Sequence, residues 1–302
     1  MTDKVAALKN QLEADIEINR AFLQKDIQAY LSLIDHFPPS ILKYHHLSDG
    51  QIKFYADFTR EFGADKIPAL HKILLLELIG RFPDRVKKLK IPDSIRAIFG
   101  FELERIFNLV KDGGDFNFNW ANDLFAKDMA IATFRLIPVG PALIEISGYS
   151  RRVLINETDR IIGNLWFYLF KAKGAFPFYE IHTHLANLKE FNPDGWHQVY
   201  LRVADLLRLN PEIKGLERGS WLVDPALSRV SPRLEYLRLV PCANGARIFF
   251  IREEGEKSGA FSTSQTRREL HAAGKYTPRS FLLVWPRKDL LDYADKSRNS
   301  PR

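Results

Sequence analysis

Residues 178–185 read Phe178-Tyr179-Glu180-Ile181-His182-Thr183-His184-Leu185. Aromatic and β-branched residues dominate this stretch, which predicts a buried β-strand. Side chains of a strand alternate between two faces, so Glu180, His182 and His184 are expected to share one face. Burying a carboxylate and two imidazoles side by side is costly unless they have partners or a task. The stretch is therefore the first candidate for a functional site.

Three interpretations of this polar row stay open. In the first, His182 and His184 ligate a metal ion, since imidazole and carboxylate groups suit Zn, Fe or Mn. The His-x-His pair matches part of the cupin pattern, but Glu190 lies too far along the chain and the second cupin motif is absent. In the second, Glu180 or a histidine acts as a general base. In the third, the row is structural and bonds to groups in the core.

The composition is that of a soluble globular protein. Of its 302 residues, 46% are hydrophobic and 27% are charged, and Cys242 is the single cysteine. One cysteine excludes an intramolecular disulfide and a cysteine-rich zinc site. The formal net charge of +7 is compatible with an acidic partner: a phosphate-bearing ligand, an acidic carrier protein, an anionic lipid surface or nucleic acid. A solvated basic surface is the equally simple alternative.

The hydropathy pattern contains no candidate membrane span. The longest apolar run, Ile73 to Leu76, is broken by Glu77, far below the roughly 20 residues that a span needs. The first residues are charged throughout and lack the apolar core of a signal peptide. We therefore expect a cytoplasmic protein without a transmembrane segment. No nucleic-acid-binding module is recognisable, so no nucleic-acid partner is expected.

The pattern of apolar and turn-forming residues divides the chain into a helical N-terminal region, residues 1–115, and an α/β region, residues 128–295. A disordered tail, residues 296–302, is expected to follow. Apolar residues at helical spacing predict helices over 4–34, 48–62, 68–82 and 92–110. Ser48 and Gln51 form a capping-box pattern at the start of the second helix. Phe37-Pro38-Pro39-Ser40 is predicted to end the first helix.

The second region alternates strands and helices. Strands are predicted over 131–137, 142–146, 179–185, 219–224, 246–252 and 280–285, with helices over 158–173, 196–209, 231–239, 266–273 and 288–294. Ser231, followed by Pro232, is expected to cap the third of these helices. Arg135 would point inward from the first strand and pair with Glu145 on the second. The predicted fold class is α/β (α+β): a helical N-terminal region followed by a mixed, mostly antiparallel sheet flanked by helices.

Two segments are candidates for anion binding. The loop Asn192–Trp196 precedes a helix, whose N-terminal amides favour an anion, and Gly195 would allow close approach of a ligand. Arg267 and Arg268 follow a polar loop near a helix start, although such pairs are commonly solvated. The chain has no phosphate-binding glycine loop and no Gly-x-Ser-x-Gly motif around Ser220.

The order of elements from Phe178 to Arg252 resembles the latter half of the GNAT superfamily of N-acyltransferases. A strand, a loop at a helix N-terminus, a long helix, a strand, a second helix and a strand follow one another. The resemblance implies a GNAT-like fold in which the loop with Asn192, Gly195 and Trp196 holds the pyrophosphate of acyl-coenzyme A. It also implies that Glu180 or His182 acts as the base and Tyr236 as the acid for the departing thiolate.

The leading hypothesis is an acyltransferase that moves an acyl group from a thioester to an amine. The donor would be acyl-coenzyme A or an acyl carrier protein, with no tightly bound cofactor, and the acyl substrate would be a small or lipid-like molecule. Catalytic candidates are Glu180, His182, His184 and Tyr236, and donor-binding candidates are Asn192, Gly195, Trp196, Arg267 and Arg268. The alternatives are a mononuclear metalloenzyme that uses His182 and His184, and a non-catalytic ligand-binding protein.

Overall fold

The computed structural model describes residues 2–15, 43–156, 160–262 and 264–299. Contacts divide the chain into two compact units, Met1–Pro138 and Val139–Arg302. The helices of the first unit are α1 (Thr2–Asp15), α2 (Asp49–Phe62), α3 (Ile67–Val86), α4 (Asp93–Asp112) and α5 (Asp123–Ala132). Residues 16–42, with the rest of the predicted first helix and its predicted stop, lie outside the described residues.

Helices α1 to α4 of the first unit begin within two residues of their predicted starts, whereas α5 was not predicted. The Ser48 hydroxyl accepts a hydrogen bond from the Gln51 backbone amide, and the Gln51 side chain accepts one from the Ser48 amide at 2.9 Å. This capping box confirms the predicted start of α2. Helix α3 buries Ile73, Leu74, Leu75, Leu76 and Leu78. No helix in the described part of the chain combines the length and apolar character needed to span a bilayer.

The predicted strand over 131–137 is wrong. Helix α5 runs to Ala132, and only the two-residue strand β1 (Ile137–Pro138) remains. Every residue from Phe125 to Phe134 is buried, including Lys127, Asp128 and Thr133, so burial follows neither the helical nor the strand period here. Arg135 donates to the backbone carbonyls of Lys43 and His46, and its pairing with Glu145 stays a prediction.

One six-stranded sheet has the order β1-β2-β3-β4-β6-β5. The five longer strands are β2 (Ala142–Ser147), β3 (Phe178–Thr183), β4 (Gly215–Ser220), β5 (Arg247–Glu253) and β6 (Arg279–Pro286). Strands β2 and β3, β4 and β6, and β5 and β6 pair antiparallel, whereas β3 and β4 pair parallel. The predicted fold class, a mixed and mostly antiparallel sheet flanked by helices, is confirmed.

The fourth strand lies earlier in the chain than predicted. The predicted strand over 219–224 is wrong because β4 ends at Ser220, and Trp221–Val223 forms a 3-10 turn. Its central residues, Glu217 and Arg218, are 2% and 4% exposed. The sequence does not predict a strand at two adjacent charged residues, because such residues are depleted in strands. The structure shows that both side chains are nevertheless buried in the sheet.

The helices of the second unit are α6 (Ile161–Trp166, continued as a π-turn over Phe167–Lys171), α7 (Pro193–Leu209), α8 (Leu227–Val230), α9 (Tyr236–Ala243), α10 (Gly259–Ser262), α11 (Gln265–Ala272) and α12 (Arg287–Asn299). Ser231 makes no side-chain cap and precedes only a 3-10 turn, so the predicted helix start there is wrong and α9 begins at Tyr236. Helix α12 continues to Asn299, into the segment predicted as a disordered tail.

The two faces of the sheet are packed differently. On one face, which we call the α7 face, Trp285 of β6 packs edge-to-face against Tyr200 of α7 and at a tilt against Tyr293 of α12. On the other face, Phe178, Phe249, Leu282 and Val284 form a core cluster with Val153, Leu154 and Phe167. We call this second face the glutamate face, because Glu145, Glu180 and Glu217 lie on it in consecutive strands.

Candidate active site in the second unit

The parallel strands β3 and β4 separate toward their carboxyl ends. Their ladder consists of the pairs Tyr179–Leu216 and Glu180–Glu217, although both strands continue for three more residues. Helix α7 connects the two strands, so they form a βαβ unit. Ligands of such units bind outside the carboxyl ends of the strands. The opening between β3 and β4 is therefore the expected place for a ligand.

A cavity of about 610 Å³ lies at this opening. Most of its lining is apolar, and its two charged residues, Arg233 and Arg267, are both cationic. No carboxylate is among the described residues that line it. The complete lining consists of Thr183, Leu185, Leu188, Phe191, Asn192, Pro193, Trp221, Leu222, Arg233, Leu234, Tyr236, Gly259, Ser262 and Arg267. Such a cavity suits a ligand with an apolar part and an anionic part.

Arg218 bridges the opening between the strands on the α7 face. Its Nη2 donates to the Thr183 hydroxyl at 3.2 Å, and its guanidinium lies over the ring of Trp196. Nη1 is buried without a hydrogen-bond partner, and among the described residues no carboxylate pairs with this side chain. Burial lowers the pKa of Arg218 to about 10, which leaves it cationic at neutral pH. A buried cation with an unused donor, one side chain away from the cavity wall, favours an anionic or carbonyl-bearing ligand.

Tyr236 and Arg267, which are both predicted site residues, line the cavity. The Tyr236 hydroxyl is buried without a hydrogen-bond partner among the described residues, and burial raises its pKa to about 12. Arg267 is 1% exposed and donates to the Ala260 carbonyl and the Ser231 hydroxyl, at 2.5 and 2.8 Å. Its guanidinium also lies over Trp221, 4.7 Å from the ring centroid. Arg267 is therefore held in place in the cavity wall, which Tyr236 also lines.

The remaining residues of the predicted donor-binding group have identifiable structural contacts. Asn192 lines the cavity, and its side chain caps α7 by accepting from the Gly195 amide at 2.9 Å. A side chain at Gly195 would collide with the Glu190 carbonyl, 2.0 Å from the added carbon. Trp196 is buried beneath Arg218. Arg268 donates to the Phe261 carbonyl and lies outside the cavity lining. Their roles in donor binding stay predictions.

Three glutamates lie side by side across β2, β3 and β4 on the glutamate face. Glu145 is the register partner of Glu180 in β3, and Glu180 is the partner of Glu217 in β4. His182 Nε2 lies 2.9 Å from a carboxylate oxygen of Glu145. If Nε2 carries the hydrogen of this bond, Nδ1 is the acceptor atom of the ring. The arrangement can take a proton from a group bound on this face.

Ligand atoms of Glu145, Glu180 and His182 all lie within 4.8 Å of one another. His184 follows the end of β3, is fully buried, and is outside this group. The structure thus brings together Glu180 and His182 from the predicted row and adds Glu145, which the sequence analysis assigned to Arg135. Arg218 and Glu217 were not singled out in sequence. The sequence feature that could have indicated them is a pair of adjacent charged residues ahead of an apolar segment.

Comparisons with known proteins add little to this geometry. No protein-family model matches the chain, and no curated protein matches it. One solved structure, titled "The crystal structure of acyltransferase in complex with decanoyl-CoA", aligns with 92% of this chain and 99% of its own, at 10% identity and a TM-score of 0.39. A superposition at that score does not by itself indicate a shared activity.

Proposed function

We propose that the second unit transfers an acyl group from a thioester donor to an amine acceptor. The observation that carries this proposal is the opposite charge on the two sides of the opening between β3 and β4. Arg233 and Arg267 line the cavity, and no carboxylate is among the described lining residues. Glutamates of three consecutive strands lie on the glutamate face. An anionic donor and a cationic amine would each meet complementary charge.

The cavity accounts for the donor. Phosphopantetheine thioesters combine an anionic phosphate, a chain with amide groups and an apolar acyl group. Arg233 and Arg267 suit the phosphate, and the apolar wall suits the acyl group. Beyond Glu180, strand β3 no longer pairs with β4. The peptide groups of β3 can therefore form hydrogen bonds with the amide groups of the phosphopantetheine chain. Acyl-coenzyme A and an acyl carrier protein both present this chemistry.

The reaction forms a C–N bond and breaks a C–S bond. An ammonium acceptor must first lose a proton, and His182, hydrogen-bonded to Glu145, is placed to receive it, with Glu180 beside it. The neutral amine then attacks the thioester carbonyl, and the new C–N bond leaves a positive charge on nitrogen. The nitrogen loses this second proton to solvent as the C–S bond breaks, and the sulfur leaves as a thiolate that solvent protonates. Arg218, with its unused donor, supplies positive charge at the opening both for the thioester carbonyl of the bound donor and for the oxyanion that develops on it.

Tyr236 is placed to stabilise the leaving sulfur. Its pKa of about 12 exceeds the value of about 8.5 of an ordinary thiol, so complete proton transfer to the thiolate would be uphill. The hydroxyl therefore acts as a hydrogen-bond donor to the developing thiolate. Tyr236 thus donates a hydrogen bond to the sulfur, whereas the acid role that the GNAT resemblance implies would transfer the proton. The order of elements from β3 through α7, β4 and α9 to β5 supports that resemblance.

Calorimetric titration with acyl-coenzyme A of increasing chain length tests donor binding. We expect affinity to rise with chain length, because each buried methylene contributes about 0.8 kcal/mol. Arg233 and Arg229 form a matched pair, since both are exposed but only Arg233 lines the cavity. Arg233→Gln should weaken binding, and Arg229→Gln should leave it unchanged. Absence of binding by every acyl-coenzyme A and by an acyl carrier protein would refute the proposal.

A divalent metal ion is a second candidate occupant of the glutamate face. The convergence of Glu145, Glu180 and His182 within 4.8 Å favours it, because one imidazole and two carboxylates form a plausible ligand set. This set differs from the His182 and His184 pair predicted from the sequence. Metal analysis of protein purified without chelators, for wild type and Glu180→Gln, distinguishes the two roles. A stoichiometric metal that is lost in the variant supports a metal site, and a metal-free active protein supports the base.

A further inference from the structure

Helix α6 and its π-turn present an apolar stripe to solvent. Its five members are large and at helical spacing, and their side chains are between 41% and 86% exposed: Ile162, Leu165, Trp166, Leu169 and Phe170. The sequence shows that these residues share one side, and an amphipathic helix ordinarily turns that side toward the core. Here the opposite side is buried, so the stripe faces outward. We call these five residues the α6 stripe.

The orientation of the helix is fixed from its inner side. Asn164, 2% exposed, donates to the Leu154 carbonyl at 3.0 Å, and Phe167 packs in the core cluster of the glutamate face. Arg247 of β5 donates to the Gly163 carbonyl at 2.6 Å and lies over the Phe167 ring. These specific contacts hold the helix in this rotation. The exposed stripe is thus a built feature of the second unit rather than a loosely packed helix.

Cations border the stripe, and one of them, Lys171, also pairs with Asp289 at 3.6 Å. Residues 160–176 contain Arg160, Lys171 and Lys173 and no carboxylate. All three side chains are exposed, as are Arg151 and Arg152 in the preceding 3-10 turn. Arg151 also lies over the Tyr168 ring, 5.9 Å from its centroid, which ties that turn to the helix. An apolar stripe with Trp and Phe, bordered by Lys and Arg, has the composition of helices that lie in the interface of a bilayer.

We propose that the α6 stripe docks the protein on a bilayer surface containing anionic lipids. The apolar side chains would enter the boundary between headgroups and acyl chains, with Trp166 at the level that indole rings favour. The cations would meet the anionic headgroups. Charge complementarity selects this occupant over a second copy of the chain, because two copies of the stripe would bring like charges together. The proposal is independent of the acyl-transfer chemistry, since no residue of the stripe lines the cavity.

Sedimentation with lipid vesicles tests this proposal. Full-length protein should bind vesicles of phosphatidylcholine and phosphatidylglycerol about tenfold or more tightly than vesicles of phosphatidylcholine alone, and salt should weaken the binding. The double variant Trp166→Ser/Phe170→Ser should lose most of this affinity. The double variant Phe101→Ser/Phe116→Ser is the matched control, because these aromatic side chains are 72% and 80% exposed but lie outside the stripe.

Tryptophan emission supplies a second readout. Emission should shift to the blue on binding in the wild type and not in Trp166→Phe, because Trp196 and Trp285 are already buried and Trp120 and Trp221 lie outside the stripe. Failure to bind anionic vesicles, or equal binding by the Trp166→Ser/Phe170→Ser variant, would overturn the proposal. A third outcome is that the protein binds no vesicles and forms a dimer without lipid, and that the Trp166→Ser/Phe170→Ser variant abolishes this dimer. That outcome would assign the stripe to a contact between copies of the chain.

Discussion

The guanidinium of Arg218 lies over the indole of Trp196, 4.7 Å from the ring centroid, at the point where β3 and β4 separate. Trp196 belongs to the first turns of α7, so this contact joins the strand after the helix to the helix itself. The contact holds a cation in the interior with one donor unused. The position of that cation, rather than Gly195 in the first turn of α7, marks the centre of the candidate site.

Removing the Arg218 cation should weaken donor binding without unfolding the protein. Arg218→Met keeps an unbranched stem of similar size and removes a buried charge that has no carboxylate partner among the described residues. A hydrogen bond to a charged group contributes about 1.5–3 kcal/mol, so affinity for acyl-coenzyme A should fall by about tenfold or more. Calorimetric titration measures the affinity, and thermal unfolding checks the fold. Unchanged affinity would contradict the proposed role.

Tyr236→Phe should reduce turnover and leave donor affinity nearly unchanged. The hydroxyl is proposed to interact with the sulfur only as it becomes a thiolate, so its loss should lower kcat by about 10- to 100-fold. Release of free thiol from acyl-coenzyme A measures the rate. Tyr276→Phe is the matched control, because the Tyr276 hydroxyl is also buried without a partner but does not line the cavity. Equal losses in the two variants would indicate a structural effect.

His182→Gln should make the reaction depend on how readily the acceptor loses its proton. With an alkylamine, which is protonated at neutral pH, we expect kcat/KM to fall by about 100-fold, because a positioned base contributes about 10²–10⁴. With hydroxylamine, which is already unprotonated at neutral pH, the loss should be much smaller. The ratio of the two rates is the measurement. The same loss with both acceptors would exclude His182 as the base.

Acid should destabilise the protein through His71 of α3. Burial lowers the pKa of His71 to about 4, from an ordinary value of 6.5, while its Nδ1 lies 2.8 Å from the Phe118 carbonyl. Between these two pH values the unfolded chain binds a proton that the folded chain does not. Stability contributed by the neutral ring is therefore complete above pH 6.5 and falls as pH drops toward 4, by about 3 kcal/mol.

Urea unfolding at pH 7.5, 6, 5 and 4.5 measures this loss. His71→Gln should lower stability at every pH, because it removes a packed ring, but it should flatten the pH dependence. The comparison rests on the slope and not on the absolute stability. A variant with the same slope as the wild type would show that other groups cause the acid sensitivity.

The sequence predicts elements well where local signals and tertiary packing agree. The capping box of Ser48 and Gln51 satisfies backbone groups within one turn of helix, so it needs no distant partner. Strands β3, β5 and β6 were found because β-branched and aromatic residues fill them. The polar row on β3 also drew attention to Glu180 and His182, although Glu145, the partner of His182, comes from 37 residues earlier in the chain.

Predictions failed where distant packing decides the structure. Residues 131–137 form a short, mainly apolar run whose local pattern does not separate a helix end from a strand, so packing against neighbours decides that helix α5 continues to Ala132. Glu217 and Arg218 looked like a loop, since nothing local indicates that the sheet can bury them. The helical period of the α6 stripe is evident in sequence, but the period says which residues share a side and not which side meets the core.

The sequence by itself determined the fold class, most element positions and the unusual polarity of β3, because these follow from alternation, helical spacing and capping within short segments. Only the tertiary structure decided where β4 lies, that it runs parallel to β3 and leaves it after two register pairs, and which charges face the resulting opening. It also decided that α6 turns its apolar stripe outward. These outcomes depend on contacts between residues far apart in the chain, which no local pattern specifies.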